Sequence, residues 1–211
     1  ITIFPFEVDC FKDTALPVAF VGHPLVEKSR DVLATPDILL PWQGKPRIAL
    51  LPGSRVHEID RLLPDMWDAA GELSTKHPEA SFLIASPNSE MSATIRQLID
   101  KTPGGPARWD CVAGQTRQIL RQANAAIVAS GTATIEAALM RCPMVVIYRV
   151  APLTYFFGKM LVRVDNIGMV NIVAGKRICP ELLQKDISGR TIANAIEPLL
   201  SDSDARAQML R

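Results

Sequence analysis

The chemically most suggestive residues lie where a predicted strand meets a predicted helix. Residues 125–129 form a short apolar run, typical of a buried strand, and Ser130-Gly-Thr132 turns the chain into a helical pattern that runs to about Arg141. At such a corner, free backbone N–H groups and hydroxyls point outward, and the helix dipole favours a bound anion. Glu136, in the first turns of the helix, could accept hydrogen bonds from a sugar's hydroxyls. An ordinary strand–helix corner with a dipole-favoured glutamate explains the same residues equally well.

Another anion-binding turn is predicted at Pro52-Gly-Ser-Arg55, again between a strand and a helix. In chain order this is the first turn, and Ser130-Gly-Thr132 is the second. Gly53 allows close backbone approach, Ser54 supplies a hydroxyl, and Arg55 offers a planar, permanently charged group suited to a phosphate or diphosphate. A surface arginine paired with Glu58 is an equally good interpretation of this turn taken alone. The turn is not a Walker loop, because the G-x-x-x-x-G-K-[ST] spacing is missing, and the chain contains no G-x-G-x-x-G either.

Composition excludes several classes of protein. The 211 residues, 48% of them hydrophobic, suffice for one sizeable α/β domain or for one domain plus pieces of another. A net charge of +1 argues against nucleic-acid binding by a basic face. The four scattered cysteines fit reduced thiols better than a zinc site or a disulfide framework. No apolar run approaches the roughly 20 residues of a spanning helix, and no signal peptide is visible. Because the chain opens at Ile1 without an initiator methionine, we expect a piece of a longer protein.

Strand and helix patterns alternate from residue 47 onward. Helices are predicted over 90–100, 115–121 and 132–141, and a longer helical region through residue 73 is expected to divide at Pro64, which cannot donate inside a helix. Predicted strands occupy 48–51, 81–85, 109–112, 125–129 and 144–148. Such alternation predicts a parallel sheet with helices on both faces, in which ligands bind outside the carboxyl ends of the strands. Both turns lie at such ends.

The stretch before residue 47 is less regular. Short strands are predicted over 1–4 and 18–21, followed by a region rich in proline and glycine with a short helix near 28–33. His23 is expected to fix this connection by hydrogen bonding rather than to take part in catalysis.

Several motifs, in a specific order, resemble the lipid-A-disaccharide synthase family. The main ones are Leu51-Pro-Gly-Ser-Arg55, Ala129-Ser-Gly-Thr-Ala-Thr-Ile-Glu136, and Pro143-Met-Val-Val146 with Tyr148-Arg149. Three more add to the match: Phe20-Val-Gly-His-Pro-Leu25, Asn171-Ile-Val-Ala-Gly175 and Pro180-Glu-Leu-Leu-Gln184. The resemblance extends over nearly the whole chain.

The resemblance implies a GT-B glycosyltransferase, whose C-terminal Rossmann-like domain binds the nucleotide sugar and whose N-terminal domain binds most of the acceptor. The family joins UDP-2,3-diacylglucosamine to 2,3-diacylglucosamine 1-phosphate, inverts the anomeric centre and releases UDP, with neither a cofactor nor a nucleotide-binding metal. By this resemblance, residues 1–24 end the acceptor domain, 25–46 connect the domains, and 47–211 form the donor domain, truncated before a closing helix. The general base is expected in the missing N-terminal part. We therefore expect this fragment to bind the donor weakly and to be inactive alone.

The resemblance also implies residue roles. Gly53, Ser54 and Arg55 would contact the diphosphate, with Arg55 offsetting the charge that grows as UDP leaves. Glu136 would accept hydrogen bonds from the ribose. The residues implied to lie under the phosphates at the helix start are Ser130, Gly131 and Thr132.

Three further polar residues carry weaker implications. Arg149, at a strand end, is a second phosphate candidate, with a salt bridge across the interdomain groove as the alternative. Asn171 and Gln184 match family positions that face the cleft, where either could touch the donor sugar or the acceptor. Asn171 could instead only cap the following turn.

An apolar stripe bears on where the protein works. Leu153, Phe156, Phe157, Met160 and Leu161 recur at helical spacing, with Lys159 and Arg163 nearby. Such a stripe is usually core. Because the family's substrates carry acyl chains, an anionic membrane surface or an acyl-chain groove is an equal alternative, and two aromatic side chains would give only weak attachment. The expectation is a cytoplasmic protein, peripheral on the inner face of the inner membrane, and a homo-oligomer is possible at full length.

Two other functions remain open at this stage. One is another UDP-sugar GT-B enzyme, such as the peptidoglycan N-acetylglucosaminyl transferase or a UDP-GlcNAc 2-epimerase, although a glycine-richer first loop would be expected there. The other is a non-catalytic nucleotide-binding module.

Overall fold

The chain folds around one parallel sheet of six strands in the order β3-β2-β1-β4-β5-β6. The computed structural model describes residues 1–149 and 166–211. The strands are β1 Arg47–Leu51, β2 Ser81–Ser86, β3 Trp109–Ala113, β4 Ala125–Ala129, β5 Met144–Tyr148 and β6 Glu181–Leu183. The chain order reverses direction across the β1–β4 pair, where Ile48 lies beside Ala125 and Leu51 beside Val128. The predicted Rossmann-like α/β fold is confirmed, and this reversal is the kind of point where such sheets bind ligands.

Helices cover both faces of the sheet. They are α1 Pro5–Asp9, α2 Leu25–Ala34, α3 Val56–Lys76, α4 Ser89–Ile99, α5 Thr116–Gln122, α6 Thr132–Leu139, α7 Met169–Ala174, α8 Gly189–Ile196 and α9 Asp204–Met209, with 3-10 turns at Gln184–Asp186 and Glu197–Leu199. Side chains of α3, α4 and α8 form one hydrophobic cluster with the sheet, and those of α5, α6 and α7 form the other. Every residue of β2 and β4 is buried, as expected for strands covered on both faces.

Pro64 does not divide the helix after the first turn, contrary to the sequence expectation. α3 is one helix of 21 residues with Pro64 inside it. Proline removes a single hydrogen bond from the helix ladder. On either side of it, Leu62, Leu63 and Met66 are almost fully buried, so packing against the sheet offsets the lost bond.

The predicted N-terminal strands are reduced to a single bridge. Thr2 pairs with Phe20, and the Val21 N–H donates to the Thr2 carbonyl at 3.0 Å. The pairing ends there because Pro5 starts helix α1, a position that suits its fixed φ angle. Similarly, α6 ends at Leu139 rather than near Arg141, which has a positive φ of 55°.

The segment before β1 is fastened to helix α5. The Arg121 guanidinium donates to the carbonyls of Val32 and Thr35 and lies 2.9 Å from an oxygen of Asp37. The neighbouring Gln122 accepts from the indole N–H of Trp42 at 3.2 Å. His23 accepts from the Leu25 N–H at 3.1 Å, so it fixes the start of α2 as expected. The domain boundaries at residues 24 and 46 stay a prediction.

The apolar stripe from Leu153 to Leu161 lies outside the described residues, so Phe156, Phe157 and Met160 have no structural account. Among the helices of the described ranges, none is both long and apolar enough to cross a bilayer.

One ion-pair cluster joins the end of α3 to the end of α8. Glu197 accepts from the His77 imidazole at 2.6 Å and from the Lys76 ammonium at 3.1 Å. Partial burial by itself would raise the pKa of Glu197, but these two hydrogen bonds and the positive charges outweigh it and lower that pKa below its ordinary 4.5.

We expect Glu197→Gln to lower the free energy of unfolding by about 0.5–1 kcal/mol at pH 7, a modest loss because the cluster is partly exposed. A lowered folded-state pKa stabilises above the unfolded pKa and loses that effect as pH falls through the folded value. The difference from the parent should therefore shrink as the pH falls below the ordinary pKa of a glutamate. Urea unfolding from pH 7 to pH 3.5 measures it, with Asp13→Asn, at an exposed position outside the helices, as control. A difference that persists unchanged at the acid end would contradict the assignment.

Candidate functional site

The two predicted turns line one cavity at the carboxyl ends of β1 and β4. The cavity has a volume of about 400 Å³. Gly53, Ser54 and Arg55 line it from the turn after β1, and the turn after β4 faces them across it. Further lining residues include Glu58, Ser86, Thr116, Ser130, Gly131, Thr132 and Glu136. Because β1 and β4 are hydrogen-bonded neighbours, two turns about 75 residues apart in sequence become the two walls of one cleft.

The first turn is built around the Glu58 carboxylate. Glu58 Oε2 accepts from the backbone N–H groups of Ser54 at 3.1 Å and Arg55 at 3.4 Å, and Oε1 accepts from the Arg55 guanidinium at 2.9 Å. Gly53 has a φ of 119°, and a Cβ there would lie 2.6 Å from Glu58 Oε2. Glycine is therefore required at this position, both for its positive φ and for the space that a Cβ would fill. The Arg55–Glu58 pairing that the sequence left open is present, and the Arg55 side chain is 70% exposed.

The second turn leaves a helix start open. Gly131, with a φ of 152°, is the N-cap of α6, and no side chain caps this helix. In the described part of the chain, the N–H groups of Thr132 and Ala133 have no acceptor. The hydroxyl of Ser130 donates to the Ile167 carbonyl at 3.2 Å, so it anchors the turn from behind. An uncapped helix N-terminus that lines a cavity is suited to bind an anionic group.

Glu136 reaches the cavity from the second turn of α6. Its Oε1 lies 2.9 Å from Nε of Arg117, and its side chain is only 17% exposed. That ion pair fixes the carboxylate on the cavity wall, where it can accept hydrogen bonds from hydroxyl groups. Arg117 has no sequence signal that would link it to Glu136, because the pairing depends on how α5 and α6 pack together.

The structure does not bring Arg149 to the two turns. Its guanidinium pairs with Asp65 and donates to the carbonyls of Arg61 at 3.1 Å and Ile187 at 3.0 Å. The geometry shows a salt bridge, which was the alternative to a phosphate contact. This salt bridge joins the end of β5 to α3 and does not cross an interdomain groove. Arg149 is thus already engaged by one carboxylate and several carbonyls, which leaves it poorly placed for a phosphate in this cavity.

Asn171 does not face the cavity either. It is completely buried, and its amide donates to the Cys179 carbonyl at 3.0 Å and to Glu181 Oε1 at 2.6 Å. Its Oδ1 accepts from the N–H groups of Ile178 at 2.8 Å and Cys179 at 3.1 Å. The capping alternative therefore describes Asn171. Gln184, which has a φ of 51°, accepts at its backbone carbonyl from Arg149 at 3.5 Å and is not among the residues that line the cavity.

A buried carboxylate that was not predicted supports the second turn. Glu181, at the start of β6, accepts from the N–H groups of Ile167 at 3.0 Å and Gly168 at 2.9 Å, and from Asn171. Since Ile167 in turn accepts from Ser130, a chain of hydrogen bonds runs from Asn171 through Glu181 to the turn at the cavity. Asn171 thus acts on the site only through the backbone that it holds.

The buried cysteines and the possible metal ligands of the described residues are further candidates for reactive groups. Burial raises the pKa of Cys142 and Cys179 to about 12, and it also raises the pKa of Cys111, so these thiols are protonated and poor nucleophiles. Within residues 1–149 and 166–211, no three His, Cys, Asp or Glu side chains are grouped as a metal site. Independence from a metal ion stays a prediction. The geometry is that of an anion-binding cleft with a hydroxyl-accepting carboxylate at one side.

Comparison with known proteins matches residues 1–210 to the family described as lipid-A-disaccharide synthetase. A Geobacter sulfurreducens lipid-A-disaccharide synthase is 39% identical over 205 residues, which cover 95% of this chain and 52% of the relative. The Pseudomonas putida KT2440 protein of the same name is 37% identical over 211 residues, covering 99% of this chain and 55% of the relative. The chain thus spans about half the length of the curated relatives it matches.

Solved structures agree at the level of fold. A Listeria monocytogenes structure named for UDP-N-acetylglucosamine 2-epimerase superposes with a TM-score of 0.52 at 16% identity, covering 90% of this chain and 42% of that one. S. aureus TarM, solved with UDP, fondaparinux and α-GlcNAc-glycerol, gives a TM-score of 0.51 at 12% identity, covering 99% and 38%.

Removing the Asn171 amide should destabilise the fold without acting on a ligand directly. Asn171→Ala leaves the buried Cys179 N–H, the partly buried Ile178 N–H and the Glu181 carboxylate short of partners, so we expect a loss of about 2–4 kcal/mol in the free energy of unfolding. Urea denaturation measures the loss, with the exposed Asn194→Ala as control, for which a change within about 0.5 kcal/mol is expected. Unchanged stability combined with lost ligand binding would show that Asn171 does face the cleft.

Proposed function

Since this chain belongs to the lipid-A-disaccharide synthetase family, we propose that it forms the UDP-sugar-binding part of an inverting glycosyltransferase. In the whole protein, this part would join UDP-2,3-diacylglucosamine to 2,3-diacylglucosamine 1-phosphate. The acceptor oxygen forms a bond to the anomeric carbon as the bond from that carbon to UDP breaks, and the configuration inverts. The proton of the acceptor hydroxyl passes to a general base, which we place in the part of the relatives' length outside these residues.

One observation carries this proposal: two turns from adjacent strands line the same cavity, and each provides donors for an anion. The α6 N-terminus presents uncapped N–H groups, and Arg55 supplies an exposed positive charge on the opposite wall. A diphosphate bridging both walls would meet positive potential at each end. As the leaving UDP gains charge, Arg55 and the helix dipole would stabilise it more than they stabilise the bound donor, which lowers the barrier.

Glu136 supports a nucleoside next to that diphosphate. It lies on the same cavity wall, one turn along α6 from the open helix start, and the Arg117 ion pair keeps it oriented. A carboxylate in that place would accept hydrogen bonds from the two ribose hydroxyls while the phosphates occupy the turns. Because the Asn171 side chain is bonded within the protein, we assign sugar recognition to residues that line the cavity instead.

The family match favours this reaction over the peptidoglycan transferase and the epimerase. The epimerase likeness among solved structures is one of fold, at 16% identity. We further propose that the whole protein works at the inner face of the inner membrane, where Phe156, Phe157 and Met160 would contact the lipid or the acyl chains of the substrates.

Titration of UDP in the absence of metal tests the site. We expect Arg55→Ala and Glu136→Gln each to weaken UDP binding by about 1–3 kcal/mol, or about 5- to 150-fold in Kd, because each loses charge-assisted hydrogen bonds. Calorimetry measures the affinities. The exposed Arg30→Ala and Glu90→Gln serve as matched charge controls and should bind like the parent. Absence of UDP binding by the folded parent at millimolar concentration would count against a donor site at these turns.

A chimaera tests the activity. Residues 1–211 can replace the matching part of the Geobacter sulfurreducens relative, so that the remaining half comes from that protein. The chimaera should release UDP in the presence of both lipid sugars, and Arg55→Ala should lower its kcat about 10²-fold, as loss of one leaving-group donor does. A chimaera that binds UDP but forms no disaccharide would indicate a nucleotide-binding module instead.

A further inference from the structure

We propose that Glu58 is a built-in competitor for the diphosphate, an internal anion that occupies the first turn until UDP displaces it and that reoccupies the turn as UDP leaves. This inference rests on the proposed function and concerns the same cavity. Its role is in the release of the product, and Glu58 is not assigned to the chemical step.

The observation is that the Glu58 carboxylate accepts from two backbone N–H groups of the first turn and from the guanidinium of Arg55. The N–H groups of Ser54 and Arg55 and the guanidinium of Arg55 are the groups expected to hold a diphosphate, and all three donate to Glu58 at 2.9–3.4 Å. Each backbone N–H has a single proton, so it cannot serve the carboxylate and a phosphate fully at the same time. A diphosphate can therefore use these two backbone N–H groups only if Glu58 moves, and it competes with Glu58 for the Arg55 guanidinium.

The turn is shaped to admit the carboxylate. The missing Cβ of Gly53 leaves the space that Glu58 Oε2 occupies, since a Cβ would lie only 2.6 Å from that oxygen. The other wall of the cavity is different: within residues 1–149 and 166–211, no side chain caps the N-terminus of α6 by a hydrogen bond. One helix start is therefore open, and the other is closed by a negative charge of the protein itself.

The closure is weak enough to be displaced. Arg55 is 70% exposed and Glu58 30% exposed, and ion pairs at such exposure contribute little to stability. A diphosphate seated at α6 brings its second phosphate to the first turn as an intramolecular competitor. A single phosphate seated at α6 leaves the first turn to Glu58. Glu58 therefore lowers the affinity for UDP but not for UMP.

The variant Glu58→Gln separates this role from helix capping. Glu58 is the N3 residue of a capping box at α3, and glutamine also serves in that position. The variant keeps the cap and loses the charge. Asp60→Asn is a matched control. Asp60 is exposed on the same helix, two residues after Glu58, and the substitution removes the same charge without changing a hydrogen bond of the first turn.

Calorimetry and stopped-flow release with UDP and UMP, at 0.15 M salt and without metal, give the test. Glu58→Gln should bind UDP about two- to fivefold tighter and release it correspondingly more slowly, the amount expected for removing a weak, exposed competitor. UMP binding should change less than about twofold, and Asp60→Asn should change neither ligand by more than about twofold. In an Arg55→Ala background the gain should shrink, because there is then no guanidinium for the loss of the Glu58 charge to release.

Three results would overturn the proposal. UDP binding to Glu58→Gln that is unchanged or weaker, at an unchanged melting temperature, would show that Glu58 positions Arg55 instead. An equal gain for UMP, or the same gain in Asp60→Asn, would show a long-range charge effect. If Arg55→Ala weakens UDP binding and Glu58→Gln does not strengthen it, only the competitor role fails. If neither the parent nor Glu58→Gln binds UDP, the proposed function fails with it.

Discussion

The pairing of β1 with β4 is the constraint on which the rest of the site depends. Parallel strands carry their carboxyl ends to the same edge, so this one ladder, from Ile48 beside Ala125 to Leu51 beside Val128, sets two distant turns face to face. The ladder holds because both sheet faces are covered by helices and both strands are almost fully buried. The hydrophobic core thus does the positioning, and the turns themselves need only glycines and a few polar groups.

Behind this edge, ionic and polar groups are paired so that each fixes a piece of backbone. Glu181 and Asn171 hold residues 167–168 and 178–179, and Arg149 ties β5 to α3 and to the 3-10 turn after β6. These groups resemble ligand-binding residues in type, but their hydrogen bonds are largely taken up by the protein. The side chains left facing the cavity, such as Arg55 and Glu136, have at least part of their hydrogen-bonding capacity free for a ligand. Polar groups whose hydrogen bonds are made within the protein therefore belong to the scaffold, and polar groups that can still bond to a ligand belong to the site.

Sequence reasoning works well where the signal is local. The alternating apolar runs locate the strands from β1 to β5, and the glycine-containing turns identify the cavity, because both follow from short-range patterns and from the rule that ligands bind at strand ends. It fails where tertiary packing decides, as at Pro64, where burial keeps α3 whole. It also left two roles open for Asn171, which is buried and bonded to Glu181 of β6. Arg117 and Glu181 were missed because their partners, Glu136 and the backbone at 167–168, are distant in sequence or unmarked by any motif.

The four cysteines have a further consequence for how the sheet could be probed. Cys10 is exposed, whereas Cys111, Cys142 and Cys179 are buried, at β3 and just before β5 and β6. A thiol reagent should therefore alkylate Cys10 at once and reach the other three only when the structure around each of them opens. Their separate labelling rates would report the opening free energies of three positions across the sheet, using side chains that the protein already carries. Such rates would map the local stability of the layer that holds the two turns together.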